Sequence, residues 1–133
     1  MRKMNTRDGY AMRYAIEKGY RIIIITGGKS QGTIKRLQDL GIKEIYSGLD
    51  NKLEAMDELV EVFGLDLSRT AYMGDDLPDY DSMRLVSLPT CPANAAPEIR
   101  AVAQYISPFK GGEGCVRDLL EKIMKVQRKW ITI

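Results

Sequence analysis

The chain has 133 residues, 44% of them hydrophobic, and its 20 basic and 18 acidic residues leave a net charge of +2. This length predicts one domain spanning 1–133 with an ordinary core, and the balanced charge gives no reason to expect nucleic acid or a membrane surface as a partner. The sequence contains no histidine, which excludes imidazole-dependent triads and dyads, phosphohistidine chemistry and most zinc sites.

Strand and helix signals alternate along the chain. Residues 20–26 (YRIIIIT) form a β-branched run that suits a strand buried on both faces, as in a parallel sheet. Residues 51–63 carry an apolar stripe at helical spacing and are followed by Gly64. The predicted elements are, in chain order, a helix at 9–18, a strand at 20–26, a helix at 29–40, a strand at 42–46, a helix at 51–63, a strand at 70–73, a turn or short helix at 79–84, a strand at 85–88, a short helix at 95–101, a strand at 104–107 and a helix at 114–128. The alternation predicts βαβ units and a parallel sheet covered by helices.

Several features bear on the cellular compartment. The longest apolar stretch, residues 22–25, is too short to span a bilayer, and residues 1–5 lack the apolar segment of a secretory signal. Cys91 and Cys115 show no metal or redox spacing, so we expect two small buried hydrophobic residues, although a disulfide between them stays open. Together these features predict a reduced, cytoplasmic protein.

An acidic segment directly follows the predicted strand at 70–73. Its carboxylates belong to Asp75, Asp76, Asp79 and Asp81. At the carboxyl end of a parallel strand they would lie where open α/β sheets bind ligands. Packed carboxylates repel one another unless a cation or protons compensate, and oxygen ligands of this kind suit Mg²⁺. The alternative is a solvated acidic loop or an N-cap for the next helix.

A glycine-containing segment, residues 26–30 (TGGKS), lies between a predicted strand and a predicted helix. Glycines let backbone N–H groups approach an anion, and the helix N-terminus adds a favourable dipole. The Thr26 hydroxyl can donate to a phosphate oxygen. A Walker loop is excluded because Ile23 stands where its first glycine is required. An ordinary tight turn is the alternative.

Lys52 lies in the first turn of the helix predicted at 51–63, with Asp50 as a candidate N-cap. A cation at this end opposes the helix dipole. This unfavourable placement suggests that Lys52 serves an anion or the acidic loop, and a solvated lysine is the alternative.

Two further segments carry polar or glycine-rich patterns. Arg7, in the segment 5–9 (NTRDG), and Arg13 could hold a carboxylate or phosphate in a bidentate manner, or the segment could be a helix cap at Thr6 or Asp8 with surface arginines. The late segment 110–114 (KGGEG) lacks the spacing of a dinucleotide fingerprint and predicts a loop before the last helix.

In order and spacing, these segments resemble motifs II, III and IV of the haloacid dehalogenase superfamily. Those motifs are a Thr-Gly after an apolar strand, a lysine on a later helix, and a Gly-Asp-Asp-x-x-Asp after another strand. The resemblance is closer to one branch, the 3-deoxy-D-manno-octulosonate 8-phosphate phosphatases, with phosphatases of related nonulosonate phosphates as the alternative. The five matching segments are 5–9, 25–30, 51–53, 72–79 and 111–117, and the likeness extends over essentially the whole chain.

The resemblance implies an α/β fold of the haloacid dehalogenase type: a Rossmann-like parallel sheet with helices on both faces and no large cap. It also implies Mg²⁺-dependent hydrolysis of 3-deoxy-D-manno-octulosonate 8-phosphate to the free sugar acid and phosphate, in the synthesis of a lipopolysaccharide precursor. The expected partner is this small phosphorylated sugar acid, and the expected assembly is a homotetramer.

Residue roles follow from the same resemblance. Asp75 would be a magnesium ligand, with Asp79 also at the metal. Thr26 and Lys52 would hold the transferring phosphoryl group, and Asp76 would contact the substrate. The implied set that binds the sugar acid is Asn5, Thr6, Arg7, Asp8, Gly9, Arg13 and Arg36, together with Lys52.

One part of the family pattern is missing before Thr26. The family opens with a strand ending in Asp-x-Asp, whose first Asp attacks phosphorus and whose second is the general acid–base; a hairpin used in tetramer assembly follows. No Asp-x-Asp precedes Thr26 here, so we expect the usual first central strand to be absent. Two interpretations fit this pattern. Either Met1 is an internal methionine of a longer enzyme, or the chain is a shortened relative that binds a ligand or partner without turnover. The intact phosphate and metal positions favour the first.

Overall fold

The structure, a computed structural model, describes residues 5–27, 31–48 and 52–131. Helices and parallel strands alternate through these residues, as the sequence predicts. The α-helices are α1 (Thr6–Glu17), α2 (Gln31–Asp39), α3 (Lys52–Glu61), α4 (Tyr80–Met83), α5 (Pro97–Val102) and α6 (Cys115–Val126). The strands are β1 (Ile23–Ile25), β2 (Glu44–Tyr46), β3 (Ala71–Met73), β4 (Leu88–Cys91) and β5 (Tyr105–Ile106). Short 3-10 turns at Leu67–Arg69 and Leu77–Asp79 complete the set.

Strand β1 shows why helices cover both faces of its sheet. Successive side chains of a strand point to opposite faces. Ile24 packs in a cluster with residues of α1, α2 and α6, whereas Ile23 and Ile25 pack in a second cluster with residues of α3. The three isoleucines are half-buried rather than fully buried. The β-branched run therefore forms a strand with a helical layer on each side, although β1 (Ile23–Ile25) is shorter than the predicted 20–26.

The strands form two parallel sheets, one of β1 and β2 and the other in the order β3–β4–β5. Within the described residues no strand pairs with the free edge of β1 or of β3. The prediction of a Rossmann-like parallel architecture covered by helices is confirmed, with the strands divided between two sheets. The resemblance places the family's first strand at the middle of such a sheet.

The carboxyl ends of the two sheets lie on the same side of the molecule. Lys52, the first residue of α3 after β2, contacts Asp79 in the segment after β3, with 2.8 Å between Nζ and Oδ1. The chain therefore brings together two candidate site segments that are 27 residues apart.

The fourth strand differs from the prediction of 85–88. Residues 85–87 form a turn in which Val86 is buried, and β4 begins at Leu88. The pairing of β4 sets this start, because Leu88 N–H donates to Thr70 O. The strand includes Pro89 as its second residue, and the Pro89 carbonyl accepts from Gln104 N–H, one residue before β5.

Helices α1 and α6 pack side by side and are joined by polar contacts. Asp8, 5% exposed, accepts a hydrogen bond from Arg117 N–H at 2.9 Å. Burial raises the pKa of this carboxyl above its ordinary value, and backbone N–H donors partly oppose the rise. Both cysteines, Cys91 and Cys115, are buried and free, as the sequence predicts. Among the described residues no helix is long and apolar enough to cross a membrane.

Candidate active site

The side chain of Asp79 organises the loop that follows β3. It is buried at 2% exposure. Its Oδ2 accepts hydrogen bonds from the backbone N–H groups of Asp75 at 2.9 Å and Asp76 at 3.3 Å. Its Oδ1 accepts from Lys52 Nζ at 2.8 Å and from the Tyr72 hydroxyl at 2.7 Å. Four donors therefore hold one carboxylate, which fixes the loop and the lysine relative to each other.

The ionisation of this network follows from the same contacts. Burial by itself raises the pKa of Asp79, but the hydrogen bonds from Lys52, Tyr72 and the Asp75 N–H outweigh burial and hold the pKa below its ordinary value. Burial, followed by the hydrogen bond to Asp79, raises the pKa of Tyr72 far above its ordinary value. At neutral pH Asp79 is therefore an anion and Tyr72 a neutral donor.

Gly74 makes this arrangement possible. An added Cβ at this position would lie 2.5 Å from Asp79 Cβ and 2.8 Å from Met83 Sδ. Both distances are shorter than contacts made by real Cβ atoms, so a larger residue would displace Asp79 or Met83. The glycine of the Gly-Asp-Asp motif is thus required by the close approach of the Asp79 side chain to the backbone.

A polar recess of about 380 Å³ opens beside the loop. It is lined by Asp75, Asp76, Asn94, Ala96 and Gly111. The Asp75 carbonyl accepts from Ala96 N–H at 2.9 Å, and Asn94 Oδ1 accepts from Gly111 N–H at 2.8 Å. The recess is therefore walled by the acidic loop, the segment after β4 and the glycine-rich segment before α6.

The carboxylates at this recess suit a hard divalent cation. Mg²⁺ is usually bound by one or two carboxylates and keeps waters or phosphate oxygens as its other ligands. Asp75, half-buried, and Asp76, exposed, meet this requirement on one loop. No cluster of three or more His, Cys, Asp or Glu side chains that could hold a metal occurs within residues 5–27, 31–48 and 52–131. Asp79 as a metal ligand stays a prediction, and its two oxygens are engaged by the four donors above.

Thr26 directly follows β1. Its backbone N–H donates to Tyr46 O at 2.8 Å, which extends the pairing with β2 by one residue, and its side chain is half-buried. Residues 28–30 of the glycine-containing segment lie outside the described residues, and so does Asp50, the candidate cap before Lys52.

The residues implied for the sugar acid lie mostly on α1. Asn5 caps this helix by accepting from the N–H groups of Arg7 at 2.9 Å and Asp8 at 3.2 Å. Its amide also donates to Gly112 O at 3.3 Å, which ties the start of α1 to the glycine-rich segment beside the recess. Asn5 is thus the cap of α1, whereas the sequence alternative was a cap at Thr6 or Asp8.

The other members of that set point in different directions. Thr6 and Arg7 are exposed in the first turn of α1, and Gly9 is buried one turn later. Arg13 is exposed and forms an ion pair of 3.5 Å with Glu17. Arg36 is exposed on α2. The structure therefore links Asn5 to the recess rim. Contacts with a sugar acid stay a prediction for the other six residues, which are Thr6, Arg7, Asp8, Gly9, Arg13 and Arg36.

Sequence reasoning gave no role to Tyr72 or Asn94. Tyr72 stands two residues before Gly74, in a motif whose carboxylates carry the prediction of a metal site. Asn94 lies in an irregular segment after β4 that carries no motif of its own. A signal existed only for Tyr72, namely a phenol on a strand leading into an acidic loop.

Comparison with known proteins agrees with this geometry. Residues 39–119 match the model of the haloacid dehalogenase-like hydrolase family. The chain is 36% identical over 129 residues to the 3-deoxy-D-manno-octulosonate 8-phosphate phosphatase KdsC of Escherichia coli K12, covering 97% of this chain and 69% of that protein.

Solved structures give the same result. The 3-deoxy-D-manno-octulosonate 8-phosphate phosphatase of Moraxella catarrhalis, in complex with a magnesium ion, a phosphate ion and a KDO molecule, matches with a TM-score of 0.89 and 37% identity over 93% of this chain and 71% of that chain. The phosphatase of the same name from Yersinia pestis matches with a TM-score of 0.90 and 37% identity over 94% of this chain and 68% of that chain. The chain therefore belongs to the haloacid dehalogenase-like hydrolases, and along nearly its whole length it is similar to their 3-deoxy-D-manno-octulosonate 8-phosphate phosphatases.

Proposed function

We propose that this chain forms the phosphate-binding and magnesium-binding part of an enzyme that hydrolyses 3-deoxy-D-manno-octulosonate 8-phosphate to the sugar acid and phosphate. The observation that carries the proposal is the contact of Lys52 with Asp79, because it places a half-buried cation beside the acidic loop. The KdsC relatives, which are 36% identical over 97% of this chain, support the choice of substrate.

The residues have distinct tasks in this proposal. Lys52 and the Thr26 hydroxyl hold the oxygens of the phosphoryl group, and the ammonium of Lys52 offsets charge that builds up during transfer. Asp75 holds Mg²⁺, with Asp76 as a contact to the substrate beside it. When bound, Mg²⁺ neutralises the phosphoryl oxygens and so makes phosphorus easier to attack. Asp79 acts chiefly by keeping Lys52 and the loop in place.

The sugar acid occupies the recess walled by Asp76, Asn94 and Gly111. Asn5 reaches this wall through Gly112. The arginines implied by the resemblance, Arg7, Arg13 and Arg36, supply positive charge for the carboxylate of the sugar acid. Asp8 and Gly9 contribute by shaping the start of α1.

The attacking carboxylate must reach Thr26 and Lys52 from another segment. The single aspartate before Thr26 is Asp8, whose Oδ1 accepts from Arg117 N–H at the start of α6. Within the described residues no strand pairs with the outer edge of β1 or of β3, and a strand ending in Asp-x-Asp would pair there. We propose that such a strand brings the attacking Asp and the general acid–base to the site.

The test compares two chains. One is the 133-residue chain, and the other is preceded by about 30 residues of the Escherichia coli relative, roughly a strand plus a hairpin. We expect Mg²⁺-dependent release of phosphate from 3-deoxy-D-manno-octulosonate 8-phosphate by the extended chain and none by the shorter one. An extended chain that folds, contains Asp-x-Asp and releases no phosphate would contradict the proposed function.

We also infer that the chain works as a homotetramer in the cytoplasm, as a single phosphatase domain. Large apolar side chains exposed on the surface, among them Val62 at 67% and Phe63 at 50%, support an assembly. The two free cysteines suit a reducing compartment. Light scattering on a sizing column measures the assembly directly, and a monomeric extended enzyme would contradict it.

A further inference from the structure

The hydroxyl of Tyr72 and the ammonium of Lys52 share one oxygen of Asp79. The distances to Oδ1 are 2.7 Å from Tyr72 and 2.8 Å from Lys52. The side chain of Lys52 is 17% exposed and that of Asp79 is 3% exposed. A phenol that donates to a buried, ion-paired carboxylate is in a position to control where that carboxylate points.

The ring of Tyr72 is fixed by packing on both sides, as a residue that positions a carboxylate requires. It packs against the cluster built on Met83 and Ile99 and also against the cluster that includes Met56 and Leu59 of α3. Its backbone is part of β3, and its carbonyl accepts from the Thr90 hydroxyl at 2.9 Å. The hydroxyl therefore projects from a rigid strand, whereas Lys52 reaches Asp79 on a flexible four-carbon chain.

We propose that Tyr72 is a positioning residue for the phosphate site, whose hydroxyl fixes the Asp79 carboxylate so that Lys52 presents its ammonium in one place. This inference rests on the proposed function, since it concerns the phosphate that Lys52 would bind. Asp79 Oδ2 is already fixed by the loop N–H groups. Without the phenol, Oδ1 would be held only by Lys52, and both side chains would gain rotational freedom.

The first experiment measures how tightly Lys52 is held and needs no ligand. Isotopically labelled reductive methylation, followed by mass spectrometry, gives the rate of modification of each lysine. In Tyr72→Phe, which keeps the ring and removes the hydroxyl, we expect Lys52 to react severalfold faster than in the wild type. An unchanged or slower rate at Lys52 would overturn the proposal.

The chain contains a matched control for this substitution. Tyr105 and Lys122 also donate to one carboxylate, that of Asp118, each at 2.5 Å. Tyr105→Phe therefore removes the same kind of phenol bond away from the site. We expect it to leave the Lys52 rate unchanged, and a similar rise at Lys52 in both variants would indicate a general loosening of the fold and overturn the specific role of Tyr72.

The second experiment measures binding of inorganic phosphate in the presence of Mg²⁺ by calorimetry. A hydrogen bond of ordinary strength predicts that Tyr72→Phe weakens phosphate binding about three- to tenfold. In a Lys52→Met background the same substitution should add no further loss, because the two residues act as one unit. Losses that simply add would overturn the proposal.

The two experiments separate this inference from the proposed function. A wild-type chain that binds no phosphate would count against the proposed function. The methylation rates would still decide whether Tyr72 holds Lys52 through Asp79.

Discussion

Lys52 and Asp79 form an ion pair with 2.8 Å between Nζ and Oδ1, and this pair joins the two sheets of the molecule. Lys52 begins the helix after β2, and Asp79 ends the 3-10 turn after β3. The strands of the two sheets share no ladder within the described residues. The pair therefore has a structural task, in addition to the chemical one, of holding the carboxyl ends of both sheets together.

Replacing Asp79 by asparagine tests this structural task. The variant keeps the size of the side chain but leaves Lys52 without its anion and weakens the acceptor of the loop N–H groups. Removing one partner of a buried ion pair predicts a loss of about 3 kcal/mol in the free energy of unfolding, measured by urea denaturation. Asp81→Asn, at an exposed carboxylate nearby, is the control and should change stability by less than about 0.5 kcal/mol. Equal effects of the two variants would contradict the role of the pair.

Gly74→Ala tests the close packing beneath the loop. Its methyl group would lie 2.5 Å from Asp79 Cβ. Overpacking of this kind costs about 1–3 kcal/mol, and we expect phosphate binding to weaken because Asp79 must move. Gly111→Ala is the control for stability, since its Cβ would meet Asn94 Oδ1 at an ordinary 3.6 Å. Thermal unfolding measures the loss of stability, and calorimetry measures phosphate binding. A Gly74→Ala variant as stable as Gly111→Ala would show that the loop accommodates a methyl group at this position.

The sequence predicted the layers of this fold well because their signals are local. The run at 20–26 encodes β1 through its β-branched residues, and the stripe at 51–63 encodes α3 through its period. The start of β4 was misplaced because Leu85 and Val86 look like strand residues, although pairing with Thr70 begins the strand at Leu88. A strand boundary set by hydrogen bonds to a distant neighbour leaves no trace in the local pattern.

The candidate site was predicted by residue type but not by geometry. Asp75, Asp79 and Lys52 were identified from motifs, yet no pattern shows that Asp79 points inward to Lys52 and Tyr72. That direction depends on the close approach at Gly74 and on contacts between residues 27 positions apart. The same limit applies to Asn94, whose contact with Gly111 N–H joins two segments 17 residues apart.

The buried carboxylate of Asp118 predicts a specific loss of stability in acid. Burial raises the pKa of Asp118, but hydrogen bonds from Lys122, Tyr105 and Ser107 lower it by more than burial raises it. The folded-state pKa therefore lies below the ordinary value. A depressed carboxyl pKa stabilises the fold above the unfolded pKa, near 3.9, and this stabilisation disappears as pH falls through the folded pKa. We therefore expect the wild type to lose stability below about pH 4 more steeply than Asp118→Asn. Urea midpoints measured between neutral and acid pH decide this, and parallel curves for the two proteins would contradict it.

The position of Asn94 predicts that its substitution weakens binding of the sugar acid without weakening binding of phosphate. Its Oδ1 holds Gly111 N–H at 2.8 Å on the wall of the recess, whereas Lys52 and Asp79 lie in the neighbouring network. Asn94→Ala removes the acceptor and loosens the wall. We expect the affinity for free 3-deoxy-D-manno-octulosonate to fall about three- to tenfold, as for loss of one hydrogen bond. Affinity for inorganic phosphate should stay unchanged.

Calorimetry with the two ligands, taken separately, measures this separation. Gln104→Ala removes an exposed amide elsewhere on the surface and should change neither affinity. Because Asn94 is itself exposed, its substitution should leave the free energy of unfolding within about 0.5 kcal/mol of the wild type. Weakened binding would then reflect the recess and not the fold. If Asn94→Ala weakened phosphate and sugar acid equally, the recess would not be a distinct subsite, and the sugar acid would have to bind on another side of Lys52.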